Sequence, residues 1–375
     1  MSQKINTSRF YFEFKGHTIP DVDAFRSTTL SLRPDKPIIY LAGDSSLDNK
    51  YWVPTSSLGG VPLPVDVPEI YRAALDRPHP KPDVAFWLNH LLGDRATALN
   101  LAVEASTLQE RNDDLLDHDK FIRDNIRAED ILIVSVGSND IAMRPTFSTI
   151  RHMLQLAWLT PHSSLQKGTA WCLGHFVRMF KSQVESYVSR LVEKHKPRAI
   201  IVCMIYYPLE AGASNQESWA DVPLKFMGYN RFPGQLQTAI RKMYELATKQ
   251  IQIPGVHVVP CALFESLDGK CEDDYVARVE PSSEGGRKMA LQFMGTINSL
   301  ITAQTGGSDD TNQNNRTVSS QSEAIRGASE KSSSALMRAA AGESAGTAKA
   351  RQARATARAK GVTATARAKG ATATR

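Results

Sequence analysis

Cysteine is scarce in this chain. There are four in 375 residues, Cys172, Cys203, Cys261 and Cys271, and no two form a Cys-x-x-Cys pair. Such wide spacing argues against a disulfide framework or a zinc cluster and for four separate reduced thiols. No histidine pair stands at helical metal spacing beside a carboxylate, so neither a metal nor another cofactor is expected. Long apolar runs are missing as well. Those present, such as 131–136 and 199–206, have strand length, far below the ~20 residues of a membrane-spanning helix. The opening stretch, MSQKINTSRFYFEFKG, has no long apolar core and no small-residue cleavage site. No secretory signal is expected from it, and the default location is cytoplasmic. Acidic residues are missing from the far end: Ala345 to Arg375 holds eight Lys/Arg and no Asp or Glu. Taking those eight charges from the net +6 leaves −2 for the rest, so the basicity belongs to the tail and says nothing about the folded part's substrate.

What is present is a repeated alternation. Five runs rich in Val, Ile and Leu, at 37–42, 98–103, 131–136, 199–207 and 256–263, read as strands. They are apolar throughout rather than alternating, as strands covered on both faces are. Between them lie amphipathic helical patterns at 83–92, which ends at Gly93, and at 175–196, 234–251 and 284–301. Strand–helix alternation predicts an α/β fold: a parallel sheet of five strands with helices on both faces, over 35–304. The less regular stretch 142–174 is expected to hold a short helix and part of a lid on the substrate side. Residues 1–34 read as an N-terminal extension packed on the sheet edge through Phe10–Phe14. Residues 305–375 are polar and then Ala/Thr/Arg/Lys-rich, with TARAKG repeated at 356–361 and 365–370. They read as a disordered tail. Its unopposed charges suit phosphates or other acidic surfaces, so nucleic acid is the sharper alternative partner.

Two strand-end motifs carry chemistry. Gly43-Asp44-Ser45-Ser46 follows the first strand, where a serine on a sharp turn presents its hydroxyl at the top of the sheet. Gly137-Ser138-Asn139-Asp140 follows the third, where an asparagine amide can aim at a carbonyl oxygen turning negative. The plainer readings are an N-cap for the first motif and an Asx-type turn for the second. Two such motifs in one parallel sheet favour a site. Asp44 is read as capping its own turn, Asp48 and Asn49 as capping the next segment, and Asp140 as bracing the loop of Asn139. Glu104, a charge at an apolar strand end, either pairs with Arg111 or faces the cleft. Tyr51, Trp52, Trp219 and Tyr229 lie in loops after strands, as packing anchors or as walls for a sugar or an acyl group.

With these motifs the sequence resembles the SGNH (GDSL-like) hydrolase superfamily in four blocks taken in order. The resemblance implies a three-layer, flavodoxin-like fold, an ester substrate of acyl or acetyl type, Ser45 as nucleophile, and Asn139 as oxyanion donor beside the Ser45 amide. Gly43, Asp44, Gly137 and Asp140 support them. The second block, here 100–107, has Ala105 where the family carries a glycine that acts through its amide. Ala105 supplies the same donor if its backbone avoids positive φ. The fourth block, VEPSSEGGRKMA at 279–290, keeps Pro281, Gly285 and Ala290 in register. It places Glu280 at the histidine position and Ala277 at the aspartate position. A glutamate of ordinary pKa ~4.3 is a weak base beside an imidazole near ~6.5. Burial raises a carboxyl toward neutrality. Three accounts stand: Glu280, or a histidine from another loop such as His17, His79, His90 or His257, serves as base of a hydrolase; the site binds an acyl or glycan ligand without turnover; or the domain is a scaffold whose tail makes the contact.

Overall fold

The computed structural model describes residues 4–56, 60–213 and 218–302. The tail from residue 305, with the disorder and nucleic-acid contact expected of it, lies outside the described residues. Five strands, β1 (Ile38–Gly43), β2 (Thr97–Asn100), β3 (Ile131–Ser135), β4 (Ala199–Met204) and β5 (His257–Ala262), form one parallel sheet in the order β2-β1-β3-β4-β5. β1, β3 and β4 are buried along their whole length, which is why β-branched and aliphatic residues fill them without alternation. β5, at the edge, departs from that pattern. His257 is exposed and Val258–Pro260 are half-buried. Pro260, which has no N–H to give a ladder, is tolerated at an edge.

β2 is shorter than the apolar run suggests. Asn100 turns the chain, its side chain accepting from Ala102 N at 3.0 Å and donating to Leu47 O at 2.9 Å. Leu101 and Val103 still donate to Leu41 O and Gly43 O at 2.9 Å, so the following loop stays fastened to β1. Asp83 caps the helix Val84–Leu92 through Phe86 N, and Gly93 ends it at φ 63°. The helix expected at 175–196 is built from Leu173–Val177, a wide π turn Arg178–Gln183, and Val184–Leu191. The next helix, Pro233–Leu246, opens on proline and stops five residues earlier than its pattern; the last is Ser283–Thr302. The stretch 142–174 is more helical than expected, with Phe147–Leu154, the π turn Gln155–Leu159 and His162–Lys167. Near the start, helices Thr7–Phe12 and Ile19–Leu32 bury Phe10, Tyr11, Val22 and Phe25.

This strand order is that of the flavodoxin-like doubly wound folds, and it decides where a site can sit. The chain leaves β1 for β2 on one side, then crosses to β3 on the other. The carboxyl ends of β1 and β3 therefore open a crevice at the switch point, and Gly43 pairs with Ser135 at its floor. A Cβ on Gly43 would lie 2.1 Å from Ser135 O, so nothing larger than glycine lets the strands meet there.

Candidate active site

Ser45 stands two residues past β1 and is buried, 6% exposed. The turn that holds it is built by Asp44, as expected. Asp44 accepts from Ser46 N at 3.1 Å and Ser46 Oγ at 2.8 Å through one oxygen, and from Ser138 Oγ at 2.8 Å through the other. That last bond ties the Ser45 turn to the Asn139 turn. Burial pushes the Asp44 carboxyl up, and the Ser46 and Ser138 bonds hold it down. Gly137 takes φ 103°, and a Cβ there would sit 2.8 Å from the Phe180 ring. Asp140 accepts from Leu108 N at 2.8 Å and Gln109 N at 3.0 Å, locking the third block to the helix that follows the second. Beneath them Arg111 is fully buried, donating to Gly43 O and Ser106 Oγ at 2.8 Å each and pairing with Asp119 at 3.1 Å.

Ser45 and Asn139 line one cleft, and Ala105 stands in the loop that follows β2. Asn139 Nδ2 donates one hydrogen to Ser106 O at 3.0 Å, which fixes the amide and leaves its second hydrogen unassigned. The N–H groups of Ser45 and Ala105 donate to no protein acceptor among the described residues. Ala105 does not meet the condition expected of it. Its φ is 59°, in the left-handed region that glycine enters freely and alanine enters at a cost. The loop from Val103 to Thr107 is fastened on both sides and overrules the preference: Val103 N bonds Gly43 O, Glu104 N bonds Asp48, and Ser106 Oγ bonds Val103 O at 2.6 Å.

Glu280 begins the two-residue strand Glu280–Pro281, paired antiparallel with Tyr275–Val276. The connecting residues Ala277 and Arg278 both take positive φ, 50° and 65°. Arg278 holds this turn, donating to Leu209 O at 3.1 and 3.0 Å, to Asp221 at 2.7 Å and to Asn230 at 2.9 Å. Asn49 Nδ2 reaches Pro281 O at 3.1 Å, and Tyr206 OH reaches Val279 O at 2.6 Å. The Glu280 side chain lines the same cleft as Ser45 while only 2% exposed, and its Oε2 has no hydrogen-bond partner. Burial pushes its carboxyl up to about 8. The nearby Ser45 and Trp219 side chains oppose that rise, and the charges of Asp44 and Asp48 add to it. Ala277 supplies only its carbonyl, which accepts from Ser218 Oγ.

Several second-rank expectations are corrected. Glu104 neither pairs with Arg111 nor lines the cleft; it is buried, with Oε2 unpartnered, and burial together with the Glu280 charge pushes its carboxyl well above the usual range. Asp48 caps nothing. It accepts from Gly16 N at 2.8 Å and Glu104 N at 2.9 Å, and forms a wholly buried pair with Lys50 at 2.6 Å. Asn49 likewise binds distant backbone, Pro281 O and Val84 N. No histidine lines the cleft: His17, for one, is buried elsewhere, stacked on Phe10 with Nδ1 2.7 Å from Phe10 O. Trp219 is a wall of the cleft, whereas Tyr229 is a buried anchor on Pro208 O and Tyr51 packs edge-on against Phe14. The described residues hold no group of three His, Cys, Asp or Glu side chains that could bind a metal ion, and no helix long and apolar enough to cross a membrane.

The strand order is that of a flavodoxin-like α/β fold, and the turns after β1 and β3 stand together at the carboxyl edge of its sheet. Among solved structures the chain is similar to a lipase/acylhydrolase from Enterococcus faecalis, at 10% identity, TM-score 0.35, covering 70% of this chain and 96% of that one. It is also similar to a carbohydrate acetylesterase from Sinorhizobium meliloti, at 12%, 0.36, 71% and 100%. A third is a phospholipase A1 from Streptomyces albidoflavus, at 10%, 0.36, 71% and 99%. No protein-family model and no curated protein matches the chain. Likenesses this distant say nothing of its chemistry, which rests on the site itself.

Two outcomes follow. Ala105→Gly relieves the left-handed alanine, and chemical denaturation should register a gain of the order of 1 kcal/mol. The raised Glu280 carboxyl keeps its proton in the folded state when the unfolded chain, titrating near 4.5, has lost it. Parent stability therefore falls as pH rises through that window and levels off above about 8. Glu280→Gln removes this contribution, so urea melts from pH 5 to 9 should favour the variant increasingly, by roughly 2–4 kcal/mol at the alkaline end.

Proposed function

We propose that this protein is a serine ester hydrolase whose general base is a glutamate. The observation that carries the reading is that Ser45, Asn139 and the buried carboxyl of Glu280 line one cleft together. In the first step the Glu280 carboxylate takes the Ser45 proton as Oγ attacks the ester carbonyl carbon. The carbonyl oxygen becomes an oxyanion, received by the N–H groups of Ser45 and Ala105 and by Asn139 Nδ2. Protonated Glu280 gives its proton to the departing alkoxide, which leaves as the alcohol and an acyl-Ser45. Water then attacks the acyl carbon, its proton passing to Glu280; as the second oxyanion collapses, Glu280 returns that proton to the departing Ser45 Oγ, restoring the hydroxyl and the carboxylate and releasing the acid.

A carboxylate of ordinary pKa would be ionised at every physiological pH but too weak to draw the serine proton. One raised to about 8 is as basic as an imidazole once ionised, at the cost of being mostly protonated near pH 7. The alternative reading, a site that binds an ester or glycan without turning it over, draws on that same protonated form, which donates a hydrogen bond instead of accepting one.

Labelling with a fluorophosphonate separates the two. The parent should label at a rate that rises with pH and levels off above about 8. Ser45→Ala should not label, and Glu280→Gln should label about 10²–10⁴-fold more slowly. A parent that fails to label across this range, or a Ser45→Ala protein that labels like the parent, removes the hydrolase reading.

A further inference from the structure

The Ser45–Glu280 site opens into a cleft whose walls are given by more than twenty residues, most of them apolar. Its polar groups lie at one end, around Ser45, Ser138, Asn139 and Glu280. Away from that end the walls are hydrocarbon, ring and thioether, among them Leu156, Phe180, Leu224, Ile240 and Met243. Among the described residues Glu280 is the only side chain of charged type on the wall, and Met153, Met204, Met227 and Met243 contribute four flexible, polarisable side chains. A sugar placed here would lose its hydroxyl–water bonds and find almost no donor or acceptor in exchange.

The mouth is apolar outside as well as inside. The turn Gln155–Leu159 faces the cleft with Leu156 and Ala157 and exposes Trp158 and Leu159 to solvent. The helix Asp221–Phe226 faces it with Pro223 and Leu224 and exposes Val222, 78% exposed, and Phe226. Trp158 Nε1 donates to Phe226 O at 3.1 Å and joins the two segments into one lip. Exposed apolar groups gathered around an apolar opening mark a binding site.

Resting on the reading of Ser45 as nucleophile, we infer that the substrate is an ester of a medium- to long-chain fatty acid, its hydrocarbon tail lying along this cleft and its carbonyl at the Asn139 end. An acetyl ester would leave the hydrocarbon walls unfilled.

The test is turnover of p-nitrophenyl esters from acetyl to decanoyl, each below its micelle concentration, by the full chain. kcat/KM should rise about three- to fourfold per methylene over the first several carbons. Ala239→Phe, and separately Ala157→Phe on the more open wall, should each lower the decanoyl-to-acetyl ratio of kcat/KM by about tenfold or more by filling the cleft. Circular dichroism identifies which variants are folded. A flat or falling series in a parent that labels at Ser45 overturns the acyl assignment and leaves the hydrolase reading standing. If the parent neither labels nor turns over any ester, the hydrolase reading falls, and calorimetry of methyl octanoate with the Ser45→Ala protein decides the acyl assignment by itself. Saturable binding that Ala157→Phe weakens upholds it, and no binding overturns it.

Discussion

Taking a carboxyl group out of water without giving it a cation costs several kcal/mol if it stays ionised, so the group holds its proton instead. Glu280 is in that position. Lys50, the buried cation of this region, is spent on Asp48 at 2.6 Å, and Arg111 on Asp119, leaving Glu280 and Glu104 with unpartnered oxygens beside one another's charge. A site that kept its acid ionised with a nearby arginine would have a stable carboxylate and no base. Leaving the charge uncompensated gives a group that binds a proton more tightly than an ordinary carboxylate, as the proposed base requires. The turn that carries Glu280 must bear the resulting strain on stability, and its fastening by Arg278, Asn49 and Tyr206 is correspondingly dense.

The rest of the site is held by polar ties that cross between blocks far apart in sequence. Asp44 reaches Ser138, Asp140 reaches the backbone of Leu108 and Gln109, Arg111 reaches Gly43 O, and Asp48 reaches Gly16 and Glu104. Each satisfies a buried group that would otherwise go unmade. Together they fasten the turns of Ser45 and Asn139 and the loop of Ala105 at the carboxyl edge of the sheet. The price in local geometry appears at Ala105, an alanine held in a conformation that suits glycine.

How much of this could be read beforehand follows from how local each signal is. The five strands were legible because a strand buried on both faces needs an unbroken apolar run, and the turns after β1 and β3 because Gly43-Asp44-Ser45 and Gly137-Ser138-Asn139 are short and contiguous. That Glu280 lines the same cleft as Ser45 could be expected only through the resemblance, with Pro281 and Gly285 in register. The partners of Asp48, Asn49 and Glu104 were not, since a capping residue and a residue that bonds backbone two hundred positions away look alike in sequence. Helical content in 142–174 escaped notice because the π turn at 155–159 breaks the 3.6-residue period that reveals a helix. The cleft walls gave no signal at all: Leu156, Phe180, Leu224 and Ile240 read as ordinary core residues until the fold leaves a space between them.

An apolar cleft and a raised carboxyl support each other. Hydrocarbon walls keep water from Glu280, and an acyl chain in the cleft would exclude what water remains, strengthening each electrostatic contact with the developing oxyanion. Everything turns on the protonation of one side chain. The most direct measurement is a carbon-13 NMR titration of the glutamate carboxyl carbons, with the Glu280 signal identified by its loss in Glu280→Gln. A midpoint near 8 is the expected result. A midpoint in the ordinary carboxylate range, near 4.5, would show a solvated, weakly basic glutamate and contradict the account.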